Sequence, residues 1–102
     1  MPAVVKKGGG RQPFAREKVA AGLALACRKR PVSSDERDAA LARVEARVFA
    51  ECEQNEIPSS RVGDLVLEEL RGLDSVAFLR FASVYQEFAD AEEFVKLIRE
   101  DG

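Results

Sequence analysis

Val4-Val5-Lys6-Lys7-Gly8-Gly9-Gly10-Arg11-Gln12-Pro13-Phe14 joins two β-branched residues to a run of three glycines and a return segment ending in proline and phenylalanine. β-Branched side chains favour extended backbone, and glycine adopts the angles that a tight reversal requires. The segment predicts a β-hairpin over residues 4–14, with a helical body over 15–101 behind it, in a single domain. A helix starting near Ala15 would follow directly. Its N-terminus and the ammonium groups of Lys6, Lys7 and Lys18 make this end of the chain a place for a polyphosphate, because open helical N–H groups and lysines both favour anions.

Charge is distributed unevenly around that hairpin. Met1 to Arg30 carries eight basic residues and one acid, Glu17, whereas the remainder carries eight basic and seventeen acidic side chains. The net charge of −2 hides this asymmetry, which bears on partners more than the total does. At 102 residues, 46% hydrophobic and 33% charged, the chain reads as one globular domain rather than a disordered one. No apolar run is long enough for a membrane span and no signal peptide precedes the hairpin, so a cytoplasmic location is expected. Cys27 and Cys52 fall within helical patterns and read as buried thiols rather than a disulfide. Without histidine, a structural zinc site within the chain is not expected.

In chain order, a first helix is predicted over about Ala15 to Arg28, burying Val19, Leu23, Ala26 and Cys27, and Pro31 breaks it. Ser33 and Glu36 form a capping box that opens a second helix to about Gln54, with Leu41, Val44, Val48, Phe49 and Cys52 inward. Glu56-Ile57-Pro58 reads as a third, edge strand. Ser59 or Ser60 would cap a third helix over about Arg61 to Arg71, which buries Val62, Leu65, Val66 and Leu70 and ends on a left-handed Gly72. Asp74 or Ser75 starts a fourth, with Val76, Phe78, Leu79, Phe81, Ala82 and Tyr85 on its apolar side. A last capping box, Asp90 to Glu93, opens a short helix with Phe94, Leu97 and Ile98. The sum is an α+β domain, mainly α.

Catalytic chemistry is absent from the pattern. No phosphate-loop or dinucleotide fingerprint surrounds the glycines, no histidine supplies a base, and no nucleophile has an activating partner. An enzyme is not expected. Autonomous nucleic-acid binding is disfavoured by a sequence pI near 5.2 and by the lack of a helix with a basic face.

Val4-Val5-Lys6-Lys7 with its glycines, Arg11, Pro13-Phe14 and Lys18 resembles the opening of the ATP-cone, the adenine-nucleotide-sensing domain of ribonucleotide reductases. Lys29-Arg30-Pro31-Val32-Ser33-Ser34-Asp35 and Val76-Ala77-Phe78-Leu79-Arg80-Phe81-Ala82-Ser83-Val84-Tyr85 are similar to the ATP-cone of the NrdR family, bacterial transcriptional repressors of ribonucleotide reductase genes. The likeness covers nearly all of residues 4–98.

This resemblance implies a four-helix bundle with a small three-stranded sheet as lid and a short extra C-terminal helix. It also implies ATP and dATP as ligands beneath the hairpin, Mg2+ accompanying the phosphates, and nucleotide-dependent self-association that controls DNA binding by the intact repressor. On this likeness Val4 and Val5 would line the adenine through backbone groups. Lys6 and Lys18 would hold phosphates, Lys7 and Arg11 would assist, and Ser59 would lie near the nucleotide. Gln12 stands where the family usually has a glutamate that accepts from the adenine amino group, and its carbonyl can also accept. Ala15 replaces a common asparagine, and Gln86 a common arginine. The family's N-terminal zinc ribbon has no counterpart before Pro2 and Ala3, so zinc is expected only in that absent ribbon. Two alternatives keep the fold: the regulatory cone of a reductase large subunit, and a degenerate cone serving only as an oligomerisation module.

Overall fold

Glycine sits where the backbone needs it. The computed structural model describes residues 2–88, with side chains as far as Val84. β1 (Ala3–Val5) and β2 (Arg11–Pro13) pair antiparallel, with Val4 opposite Gln12 and Val5 opposite Arg11. The Lys6 N–H donates to the Gly10 carbonyl at 2.7 Å, and the Lys6 carbonyl accepts from the Gly9 N–H at 2.8 Å. Gly9 lies at φ +89°, where an L side chain is strained. β3 (Glu56–Pro58) runs parallel to β1 on its other side, giving the order β2–β1–β3. Pro58 lies on an edge strand, where a missing N–H does least harm to the ladder.

Four helices carry this sheet: α1 (Arg16–Ala26), α2 (Ser34–Glu51), α3 (Ser59–Leu73) and α4 (Ser75–Phe88). Each packs on its neighbours, α1 on α2, α2 on α3, α3 on α4 and α4 back on α1, so α2 lies diagonally across the bundle from α4. Leu23, Val44, Val48, Leu65, Leu70 and Ala77 meet in the middle, and Ile57 and Phe14 tie the sheet to them. Burial of each such leucine or isoleucine stabilises the fold by roughly 1.5–3 kcal/mol. The result is a mainly helical α+β domain with a mixed three-stranded sheet.

Helix ends follow local chemistry where a polar side chain is in reach. Ser33 Oγ accepts from the Glu36 N–H at 3.1 Å, and Glu36 Oε1 accepts from the Ser33 N–H at 3.1 Å, so the expected capping box is formed. Other ends differ from the sequence reading. α1 stops at Ala26, two residues early, and the chain turns through Lys29 at φ 61°. α2 stops at Glu51 rather than Gln54, and Gln54 and Asn55 take the left-handed angles of the next turn. α3 begins at Ser59, with Pro58 rather than Ser59 or Ser60 at the N-cap. Gly72 remains inside α3, and no left-handed glycine ends that helix.

Asp74 explains that last difference. It is extended, at φ −166°, which releases its carboxylate to accept from the Ala77 N–H at 2.9 Å and so to cap α4. The same carboxylate receives Arg30 Nε at 2.9 Å and Nη2 at 3.2 Å. One side chain thus joins the end of α3, the start of α4 and the segment after α1. The Arg30 hydrogen bonds, followed by the Ala77 N–H, hold the Asp74 carboxyl below the usual carboxylate range. A depressed folded pKa contributes stability above the unfolded value and loses it as pH falls through the folded one. Asp74→Asn keeps the cap but removes the charge. Its thermal midpoint should therefore fall well below that of the parent at pH 7 and converge on it as pH falls through the depressed Asp74 value, below the ordinary Asp range. A gap between the two that does not change with pH would refute this reading.

Two apolar residues expected inside are outside. Phe49 is 48% exposed and Leu79 is 63% exposed. The phase of α2 is set by Ala40, Val44 and Val48 at intervals of four, which turns Phe49 off the core. In α4 it is Ala77 that is buried, with Phe81 one turn on and half-buried, which directs Leu79 to the far side. The Asp90–Glu93 helix with Phe94, Leu97 and Ile98 lies outside the described residues, as do the side chains of Tyr85 and Gln86.

Candidate functional site

Sheet and helices enclose a cleft of about 240 Å³ beneath the hairpin. The strands contribute Val4, Lys6 and Gln12, α1 contributes Lys18 and Val19, α3 contributes Ser59, Val62 and Val66, and α4 contributes Phe81. Phe14 closes the floor. The walls are largely apolar, with lysines, an amide and a hydroxyl around the rim. That is the ordinary composition of a site for a flat base with a charged tail.

Strand alternation sorts the expected site residues. Val4, Lys6, Gln12, Lys18 and Ser59 come together at the cleft. Val5 and Arg11 are paired across β1 and β2 and share the opposite sheet face, because successive side chains point to opposite sides. Val5 lines a separate hollow with Glu53, Glu56 and Arg61, and Arg11 Nη2 reaches Glu56 Oε1 at 3.1 Å. Lys7 sits exposed in the turn.

Electrostatics at the rim are one-signed. Among the described residues no acidic side chain lines the cleft. Lys18 Nζ approaches Gln12 Oε1 at 3.5 Å, the long limit of a hydrogen bond, so the ammonium is only lightly held across the mouth. Two helices also begin there. Ala15 is the N-cap of α1 and Pro58 that of α3, neither makes a side-chain cap bond, and Ala15 and Ser59 both line the cleft. The first turns of two helices, neither capped by its N-cap side chain, therefore abut one cavity, an arrangement that favours an anion.

The remaining charge of the basic first third is spent elsewhere. Arg16 pairs with Glu45 at 3.4 Å and Arg30 with Asp74, so the positive run is not one patch. Sequence reasoning missed the apolar half of the site. Val19, Val62, Val66 and Phe81 read as core positions, and no local signal separates a core residue from one that borders a cavity. Among the described residues no group of three or more His, Cys, Asp or Glu is placed to hold a metal, and both cysteines are free thiols.

The sequence profile described as "ATP cone domain" matches residues 2–91. The chain is an ATP-cone domain of the NrdR repressor family. It is 52% identical over 98% of its length to the transcriptional repressor NrdR of Aromatoleum aromaticum, covering 58% of that protein. It is 55% identical over 98% of its length to the NrdR of Leptothrix cholodnii, covering 67%. The cone thus spans between 58% and 67% of the length of these curated relatives. Their shared name is that of a regulator, not a catalyst, in line with the lack of catalytic residues in the sequence. No helix among the described residues is long and apolar enough to cross a membrane.

Proposed function

We propose that the cone is an adenine-nucleotide sensor, binding ATP and dATP in the cleft beneath the hairpin and passing their ratio to the DNA-binding form of an intact cytoplasmic repressor. The observation that carries this reading is the convergence of Lys6, Lys18 and two helix N-termini with non-polar N-cap residues on one apolar cleft, with no acid among the described residues that line it. The base would lie against Val4, Val19 and Phe81, with the Gln12 carbonyl accepting from its amino group. The phosphates would meet the two lysines and the first turns of α1 and α3. Mg2+ would be held by phosphate oxygens, since the described lining residues include no carboxylate. Val5, Lys7 and Arg11 would act through the sheet and its field rather than by direct contact.

Sensing needs more than binding. ATP and dATP must prefer different assemblies of the protein, because equal affinity for both states shifts nothing. The ribose 2′-hydroxyl is the one group that differs, and one hydrogen bond made or lost supplies on the order of 1 kcal/mol of discrimination. Titration calorimetry tests the reading: ATP and dATP should each give saturable heat, and inorganic triphosphate much weaker binding. No heat from either nucleotide at millimolar concentration would leave a cone that serves only as an assembly module.

A further inference from the structure

A second groove, about 600 Å³, runs along the outside of the bundle between α1 and α4. Its floor is apolar, with Leu25 67% exposed and Val84 51% exposed, and Arg28, Lys29 and Arg80 stand along it with no acid among the described residues of the lining. Arg80 Nη1 donates to the carbonyls of Arg28 at 2.7 Å and Ala26 at 3.2 Å, which anchors this cationic edge on α4 to the end of α1.

Across the bundle, α2 presents the complement. Ala39, Ala42, Ala46 and Phe49 recur at spacings of three and four along its exposed face, directly opposite the buried Val44 and Val48. Exposed Asp35 and Asp38 flank this stripe at its start and Glu53 lies just past its end. The three arginines of α2 reach elsewhere, Arg37 to the Val32 carbonyl, and Arg43 to Glu69 and Arg47 to Glu68 on the α3 side. The stripe is therefore a slim apolar ridge with acidic ends.

We propose that the α2 ridge of one copy of this chain docks in the α1/α4 groove of the next, Phe49 entering beside Leu25 and Val84 while Glu53, four residues on, meets Arg28 and Lys29. The two surfaces lie on different sides of one molecule, so the contact is head-to-tail and each copy offers one ridge and one groove. Such contacts close into rings or extend as chains. An isologous groove-to-groove contact would instead set cations against cations.

The groove shares a wall with the nucleotide cleft. Gly22 and Phe81 line both, and a Cβ at Gly22 would meet Phe81 Cε2 at 3.5 Å, so α1 and α4 touch there. A base lying against Phe81 changes the spacing of those two helices and with it the width of the groove. This coupling rests on the sensor reading above, whereas the contact itself does not.

Two disabled variants decide the matter by sedimentation velocity. Leu25→Glu spoils the groove and Phe49→Glu spoils the ridge, and each alone should weaken self-association by about tenfold or more. Mixed in equal amounts they should form a one-to-one pair, because one variant keeps its groove and the other its ridge. Ala46→Lys, at a fully outward position, replaces Phe49→Glu if the latter alters the far-UV spectrum. A mixture that stays monomeric, a single variant that associates as the parent does, or a parent that never associates with ATP or dATP present would each overturn the proposal. Neither residue lines the cleft, so calorimetry on the same variants should give ATP affinities within about twofold of the parent. Pairing without any nucleotide effect keeps the contact and sinks the sensor, and nucleotide binding without pairing does the reverse.

Discussion

Replacing Lys6 and Lys18 together by alanine should lower ATP affinity by about a hundredfold while leaving the thermal midpoint nearly unchanged. Each ammonium offers a phosphate a charge-assisted hydrogen bond, whose loss costs about 1.5–3 kcal/mol, and exposure to solvent places these two at the lower end of that range. About 1.4 kcal/mol is a factor of ten. Both side chains are exposed, so their removal creates no cavity. Arg11→Ala is the matched control. Its charge is of the same sign and within the same hairpin, but it lies on the other sheet face beside Glu56. Its effect on affinity should stay within about threefold, a surface-scale change. Equal losses from Arg11→Ala and Lys18→Ala would mean that the field of the whole hairpin, not the cleft, holds the triphosphate.

Leu70→Ala should remove a large share of the fold's stability, about 2–5 kcal/mol out of the 5–15 typical for a domain. Leu70 is wholly buried where α3 meets the rest of the bundle, and its truncation leaves a void that the neighbouring helices cannot fill without moving. Urea unfolding should show the midpoint falling with little change in slope. Leu25→Ala removes the same atoms from an exposed site and should shift the midpoint hardly at all. Comparable losses from the two substitutions would show that the assignment of inside and outside is mistaken.

Much of this architecture was readable one segment at a time. The hairpin followed from two β-branched residues ahead of three glycines, the start of α2 from Ser33 and Glu36, and the third strand from a short segment with a proline. In each case the deciding interaction lies within a few residues, so the order of side chains is enough. The ends of α1 and α3 were misread for the complementary reason. Arg30 and Asp74 are far apart in the chain, and their ion pair sets how both segments leave their helices.

The candidate site divides along the same line. Its polar rim was named from composition and resemblance, because lysines and an amide beside a glycine turn announce themselves. Its apolar walls were not, since Val19, Val62, Val66 and Phe81 carry the same pattern as any core residue. Which side of the sheet faces the cleft also escaped the sequence, and with it the separation of Val4 and Gln12 from Val5 and Arg11. Local order in the chain specifies backbone conformation, because turns, caps and period-two strands are short-range effects. A cleft is the space left between elements, and only the packing of α1, α3 and α4 under the sheet decides where that space lies and which side chains face it.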